Sequence, residues 1–198
     1  MKQTFTITLV AICLILPQIA LAEHDQEMKG FRHELKQKKM EHWKTQKGEN
    51  KEFRKTLKQL PPEERAKAVI GHRQTQYSEN KTFREQRHKE NMDFLKAKLE
   101  HNKKLSDAQK TELINFFENQ YQENTSFREK QHAENIAFLQ SIADNPNLTQ
   151  EQRKQSIREH FQTQKVENKD FWSKQRAERK ELKHSLHSSS APHTSTTQ

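Results

Sequence analysis

The sequence predicts an all-α protein, an elongated set of antiparallel hairpins of long helices with about four helices in all. The first observation is a repeat unit, Glu-Asn-x-x-Phe, which starts at Glu49, Glu79, Glu123 and Glu167. The second is composition: Glu, Lys, Gln and Arg, which favour helices, are abundant, and there are only three Gly and five Pro in 198 residues. A unit copied along a chain indicates a repeated helical element with an extended surface.

The residues around the unit repeat as well. A Gln stands three positions before each Glu-Asn, and the position seven before it is a ring in every copy: His42, His72, Phe116 and His160. Eleven residues after the second and third copies the unit returns, at Glu90 and Glu134. Eleven residues make three helical turns, so equivalent side chains return to one face of a helix. No second copy follows the first one at this eleven-residue distance, which predicts a shorter first unit.

Three break signals divide the chain into helices, and they start at Leu60, Leu105 and Leu148. After Leu60 come Pro61 and Pro62, and proline is tolerated in the first turn of a helix. The predicted helices span residues 25–59, 62–101, 106–143 and 149–186. Short turns between them make consecutive helices antiparallel neighbours.

The last two break signals also carry helix caps. They read Leu105-Ser106-Asp107-Ala108-Gln109 and Leu148-Thr149-Gln150-Glu151-Gln152. Ser106 and Thr149 are placed to accept a hydrogen bond from the amide three residues on, while Gln109 and Gln152 reach back to the N–H of the cap residue. This reciprocal pair is a capping box.

Apolar residues form only partial stripes on these helices. We therefore expect some Gln and Asn side chains to be semi-buried, or part of the apolar surface to stay exposed. The Glu-Asn pair has two interpretations: a polar device that sets the register of neighbouring helices, or a solvent-facing product of duplication.

The N-terminus resembles a secretory leader. Lys2 precedes an apolar stretch over residues 5–16, and Ala20-Leu21-Ala22 forms a small-residue cleavage site. We predict a signal peptide over residues 1–22 and a periplasmic location; the alternative is an uncleaved anchor. Cys13 lies in the leader, so the mature chain has no cysteine to form a disulfide. The predicted helical domain spans residues 23–186, followed by a disordered Ser/Thr/His-rich tail over 187–198.

The charge balance limits the partners. The net charge is +9, and removal of Lys2 with the leader leaves +8. Export argues against nucleic acid as the partner, so an anionic envelope surface is the more suitable polyanion. No segment after the leader is apolar enough to span a membrane. The sequence has no glycine-rich phosphate loop and no nucleophile motif; we therefore predict that the chain is not an enzyme and needs no cofactor.

An aromatic residue and a cation recur together at one position of the repeat: Phe53-Arg54, Phe83-Arg84 and Phe127-Arg128. These residues, with the further repeat positions Phe94, Phe138 and Phe171, are candidates for binding unfolded polypeptides. Arginines would attract acidic segments and phenylalanines would hold apolar ones. The alternative is that the phenylalanines form the contacts between helices and the arginines a solvated flank.

Histidines suggest a metal site near the C-terminus. His184 and His187 lie one turn apart and could bind a transition metal together with His193, because neutral imidazole is a common metal ligand. The other histidines recur with the repeat and do not cluster, which argues against a closed zinc site.

The two capping sequences resemble the Leu-Thr-x-x-Gln motif of the Spy/CpxP family of periplasmic stress proteins. Leu148-Thr149-Gln150-Glu151-Gln152 matches it, and Leu105-Ser106-Asp107-Ala108-Gln109 matches it with Ser in place of Thr. The resemblance implies a cradle of antiparallel helices, a homodimer, and a basic, partly apolar concave face that holds unfolded clients without ATP. Related members respond to zinc or sense envelope stress. The Glu-Asn-x-x-Phe repeats are not part of that motif.

Three hypotheses follow for the function. The chain is an ATP-independent holdase for unfolded or envelope proteins, a periplasmic metal-binding or stress-sensing protein, or a structural helical repeat protein with a dedicated partner.

Overall fold

The structure, a computed structural model, describes residues 22–188 of the chain and the side chains of residues 26–186. It contains four long helices: α1 (Ala22–Gln59), α2 (Pro62–Glu100), α3 (Asp107–Asp144) and α4 (Gln150–Ser188). Each helix packs against the next one in the chain. The predicted all-α hairpin fold is confirmed, and the predicted helix bounds are correct to within three residues. Within the described range, no helix is both long and apolar enough to cross a membrane.

The two ends of the chain need separate mention. The predicted signal peptide lies outside the described residues, except that α1 already starts at Ala22. Likewise α4 continues to Ser188, two residues into the predicted tail, and the remainder of that tail is not described.

The helix starts follow the predicted caps. The Ser106 hydroxyl accepts from the Gln109 amide at 3.3 Å, and the Gln109 side chain accepts from the Ser106 amide at 2.9 Å. Thr149 and Gln152 form the same pair at 3.2 and 2.8 Å. Both capping boxes are therefore confirmed. At α2, Pro61 is the cap residue and has no side-chain hydrogen bond.

The apolar core is small and lies at one end of the molecule. Its buried side chains surround the α2–α3 turn: Met92, Leu95, Leu99, Leu105, Leu113, Phe117, Leu182 and Leu186. Elsewhere, Gln120, Gln164 and Gln175 are buried between helices, while Met40, Trp43 and Val166 are exposed. Both expectations from the weak apolar stripes are therefore met.

Each helix carries three residues at eleven-residue intervals, which we call its ring positions. They are Phe31, His42 and Phe53 in α1; His72, Phe83 and Phe94 in α2; Phe116, Phe127 and Phe138 in α3; and His160, Phe171 and Leu182 in α4. An eleven-residue period keeps all three on one helix face. That face points at the partner helix of the same hairpin.

The α1–α2 and α3–α4 hairpins are versions of one design. The ring positions of α1 recur in α3 85 residues later, from Phe31 to Phe116, and those of α2 recur in α4 88 residues later, from His72 to His160. The three-residue difference equals the difference in turn length, because residues 60–61 link the first hairpin and residues 145–149 the second. The longer turn therefore leaves the pairing of the helices unchanged.

Candidate functional site: helix interfaces and the exposed face of α1

Stacked rings join the two helices of each hairpin. Five ring pairs lie nearly parallel, with centroids 3.9–4.1 Å apart: Phe31–Phe94, His42–Phe83, Phe53–His72, Phe127–Phe171 and Phe138–His160. Such stacks add to the free energy of burial. Because each stack fixes one residue of a helix opposite one residue of its neighbour, the series sets the register of the hairpin.

Side-chain amides fill the space between successive stacks. Asn50 donates to the Gln76 side-chain oxygen at 2.8 Å, and His72 Nε2 donates to Asn50 Oδ1 at 3.1 Å. Gln76 in turn donates to Glu49 at 3.0 Å. The mirror-image set, with the roles of α1 and α2 exchanged, runs through Asn80, Gln46, His42 and Glu79.

The Asn of the repeat is therefore an interhelical residue. In α3–α4, Asn135 donates to Gln164 at 2.8 Å and accepts from His160 Nε2 at 2.9 Å. Of the two interpretations of Glu-Asn, the structure shows the first, a polar device between helices. Its complementary donors and acceptors meet in only one register.

The structure also shows where the second copy of the repeat unit lies in α1. Eleven residues after Glu49 the chain is already in the α1–α2 turn, so the second unit of α1 lies eleven residues before it. That unit carries Lys38 and Lys39 in place of Glu-Asn. Lys38 pairs with Glu90 of α2 at 2.9 Å. The prediction of a shorter first unit was wrong, because the substitution by lysines hides a unit of full length.

A second set of rings joins α2 to α3. Tyr77 stacks on His132 at 3.8 Å and His88 on Tyr121 at 3.6 Å. His88 Nε2 also lies 2.8 Å from a Glu118 carboxylate oxygen. These contacts again recur every eleven residues, so α2 and α3 each use two faces. Both inner helices are thereby fixed by rings on either side.

Two of the predicted binding arginines are partly buried beside α2–α3. The Arg128 guanidinium lies 5.5 Å from the Trp172 ring centroid, and that of Arg84 lies 5.5 Å from Tyr77. Burial, with a contribution from nearby Arg84, lowers the pKa of Arg128 to about 10. Burial likewise lowers the pKa of Arg84. Aromatic faces stabilise both cations.

The structure separates the predicted client-binding residues into two groups. The phenylalanines all lie half-buried in ring stacks: Phe53, Phe83, Phe94, Phe127, Phe138 and Phe171. Of the arginines, only Arg54 is exposed. The phenylalanines thus have a structural role, and their role in client binding stays a prediction.

The exposed face of α1 combines apolar and cationic side chains, and we call it the α1 face. It consists of residues spaced three or four apart: Lys36, Met40, Trp43, Lys47, Lys51, Arg54 and Lys58. Trp43 keeps 53% of its surface exposed and Met40 43%. The Lys47 ammonium lies 5.0 Å from the Trp43 ring centroid. Because the two exposed apolar side chains are neighbours on one helix face and lie within a row of cations, this face is the candidate interaction surface.

Charge is segregated around α1. At 100° per residue, the positions on the α1 face carry no carboxylate between residues 26 and 59, whereas Glu34, Glu41 and Glu52 lie on the far side of the helix. Among the side chains that the structure describes, no cation of the α1 face forms an ion pair. The face therefore presents an uncompensated positive field to a partner.

Sequence reasoning missed the α1 face. The Phe-Arg pairs include only one residue of this face, Arg54. The pattern that predicts the face is the spacing by three and four residues of Lys36, Met40, Trp43 and Lys47. This spacing marks a helix face. It was obscured because lysines occur throughout the chain.

Of the predicted metal ligands, only the side chain of His184 is described, and it belongs to α4 rather than to the α1 face. His184 is exposed near the end of α4, while the His187 side chain and His193 lie outside the described residues. Across residues 26–186 no three His, Cys, Asp or Glu side chains come together as a metal-binding group.

No protein-family model, curated protein or solved structure matches this chain. The resemblance to the Spy/CpxP family therefore rests on the two capping sequences.

Proposed function

We propose that the chain is an exported, ATP-independent holdase that binds acidic, partly unfolded polypeptides through the α1 face. The carrying observation is the exposure of Trp43 and Met40 within a row of lysines and arginines that lacks carboxylates. An unfolded segment exposes apolar side chains that can contact Trp43 and Met40, and its acidic residues can pair with the lysines and the arginine of the face. The two attractions act on the same stretch of client.

The geometry suits weak, adaptable binding. Met is flexible and adapts to apolar partners of different shape, and lysine stems place their charges over a wide area. Because α1 is the first helix and packs on α2 through its ring positions, its exposed face is not needed for that packing. A client can therefore be held without opening the interfaces.

The test measures light scattering during aggregation of reduced α-lactalbumin, an acidic protein, with equimolar mature chain and no nucleotide. Suppression is expected at low salt and should weaken strongly by 300 mM NaCl, where the Debye length falls to about 6 Å. Reduced lysozyme, a basic client, should be protected less.

A matched pair of variants assigns the surface. Trp43→Ser with Met40→Ser should reduce suppression several-fold, whereas Val166→Ser, which removes an equally exposed apolar residue from α4, should leave it intact. Circular dichroism should show equal helicity for all chains. Equal loss in both variants would contradict the assignment to α1.

Two outcomes would replace the proposal. Absence of suppression, together with co-sedimentation of the chain with vesicles rich in anionic lipid, would make the α1 face a membrane-surface site, since Trp and Lys on one helix face also suit that location. Absence of both, with one stoichiometric protein partner, would favour a dedicated scaffold.

A further inference from the structure

One unit of the α1–α2 interface replaces both amides of the Asn–Gln pair by cations. Four times, an Asn on one helix donates to a Gln oxygen on its neighbour, at distances of 2.8–3.1 Å: Asn50–Gln76, Asn80–Gln46, Asn124–Gln175 and Asn135–Gln164. Moving eleven residues back along α1 from Asn50, and eleven forward along α2 from Gln76, gives Lys39 and Arg87. A pair of cations stands where these four units have a pair of amides.

The exchange removes every acceptor from the pair. Asn and Gln each donate and accept, whereas Lys and Arg only donate. Arg87 is only 6% exposed, and its Nε and Nη2 are buried without a partner. Burial lowers the pKa of both side chains, and for Lys39 the charge of Arg87 lowers it further. Two donor-only cations are therefore neighbours, and one of them, Arg87, is almost fully buried.

The nearest carboxylate is engaged elsewhere. Glu90 accepts from Lys38 at 2.9 Å and from Gln86 at 3.2 Å through the same oxygen, Oε1. Its Oε2 is buried and, like the two Arg87 nitrogens, has no hydrogen-bond partner. Lys38 also pairs with Glu34 at 2.8 Å. Lys38, Lys39 and Arg87 thus place three positive charges beside two carboxylates, which leaves a surplus of one positive charge.

Neighbouring rings hold the guanidinium in place. The Arg87 carbon lies 5.6 Å from the Phe83 ring centroid, and Phe83 itself is stacked on His42. A positioned guanidinium with two open N–H groups presents the fork that binds an oxyanion in a bidentate manner.

We propose that Arg87 and Lys39 form a binding site for a small tetrahedral oxyanion of the phosphate or sulfate class, enclosed between α1 and α2. The anion supplies the acceptors that the amide pairs contain elsewhere, and it balances the surplus charge. Its location between two helices means that binding stabilises the α1–α2 hairpin. This site is separate from the α1 face and independent of holdase activity.

The decisive variant introduces the amide pair found in those four units: Lys39→Asn with Arg87→Gln. Thermal unfolding is recorded with sodium phosphate and with sodium chloride at equal ionic strength. With a millimolar dissociation constant, 20 mM phosphate should raise the Tm of the unmodified chain by about 4–7 °C. This amide variant should be at least as stable without phosphate and should show no phosphate-specific rise.

Control variants separate the site from general charge effects. Lys51→Gln with Lys58→Gln removes the same charge from exposed positions of α1 and should keep the full phosphate response. Glu90→Gln removes the competing carboxylate and should enlarge that response. Titration calorimetry of the unmodified chain with phosphate, sulfate and acetate should show heat for the first two and little for the carboxylate.

Three results would overturn the proposal. The first is an equal phosphate response in the amide and control variants, which would indicate general screening. The second is a calorimetric titration of the unmodified chain without binding at millimolar phosphate. The third is a phosphate response that appears in Glu90→Gln but not in the unmodified chain, which would show that Glu90 and Arg87 satisfy each other.

Discussion

At the residue scale, a His ring can supply the hydrogen bond that the opposing Asn oxygen needs, whereas a Phe ring cannot. His42, His72 and His160 donate to Asn oxygens across the hairpin. In the same register, Phe171 faces Asn124 and has no donor. Asn124 Oδ1 is accordingly buried without a hydrogen bond. A buried acceptor left unpaired costs about 1–3 kcal/mol.

This mismatch predicts a new hydrogen bond in Phe171→His. The imidazole keeps a flat ring for the stack on Phe127 and supplies Nε2–H to Asn124. A double-mutant cycle with Asn124→Ala, followed by urea unfolding at pH 8, should give a coupling free energy of about 1 kcal/mol. The control is Phe116→His, which faces Arg179 rather than an acceptor; coupling with Asn124→Ala should be absent there. Equal coupling in both cycles would refute the assignment.

His72 and His132 make the fold sensitive to acid. Burial lowers the pKa of His72 below its usual 6.5, although nearby Glu49 and Glu79 act in the opposite direction. Burial and then Arg73 lower the pKa of His132. The unfolded chain therefore takes up protons at a higher pH than the folded chain does. The contribution of neutral His72 and His132 to the free energy of unfolding is fully present above about pH 7 and decreases as the pH falls below 6.5.

Ring substitution should remove part of this dependence. In His72→Phe with His132→Phe, the loss of Tm between pH 7.5 and 5.5 should be smaller than in the unmodified chain, because neither position can then take up a proton. Phe is already present at ring positions equivalent to His72, and a Phe ring at position 132 can still stack on Tyr77, so both stacks are retained. His101→Phe, at an exposed position of the α2–α3 turn, is the control and should leave the slope unchanged.

At the element scale, the helices were predictable because their boundaries are local. The Ser106–Gln109 and Thr149–Gln152 boxes and the two prolines at α2 are each complete within four residues of sequence. The interfaces were only partly predictable: the eleven-residue period was visible, but Lys38 and Lys39 concealed one unit. The sequence alone could not distinguish the unpaired lysines of the α1 face from lysines in ion pairs. Lys47 forms no ion pair with the side chains that the structure describes, whereas Lys81 pairs with Glu129 of α3 at 2.8 Å, and nothing in the local sequence indicates this difference.

Removal of a cap tests the local origin of α3. Ser106→Ala deletes the acceptor for the Gln109 amide and should reduce the free energy of unfolding by about 1 kcal/mol. Urea unfolding measures this difference. Ser126→Ala, at an exposed position inside α3, should be neutral or slightly stabilising, because Ala is the better helix former. A similar loss in both variants would mean that the cap contributes nothing specific.

At the scale of the whole molecule, stability is distributed unevenly along the long axis. The apolar core surrounds the α2–α3 turn, together with the buried Leu35 of α1. Toward the other two turns the interfaces consist mainly of half-buried rings and amides. Apolar burial is the larger stabilising contribution per residue. Opening should therefore begin at the end that carries residues 60–61 and 145–149.

Hydrogen exchange can map this gradient. Peptides covering residues 92–99 and 113–120 should exchange slowest, and those covering 53–66 and 142–155 fastest, because local opening needs less free energy where little apolar surface is buried. Leu95→Ala should accelerate exchange in the slow peptides toward the rate of the fast ones. Uniform protection along all four helices would contradict an uneven core.

Because the rings are spaced by eleven residues, the length of the hairpin is a multiple of one repeated unit. One unit is three turns, or about 16 Å of helix, and each unit is completed by the unit directly across from it. Eleven residues added to both helices of a hairpin would extend the rod by one such step and keep every existing pair aligned, whereas an insertion far from a whole number of helical turns would rotate the rings out of contact. Duplication of a whole unit therefore preserves the interface, and a designer could use the same step to set the distance between the two ends of the hairpin.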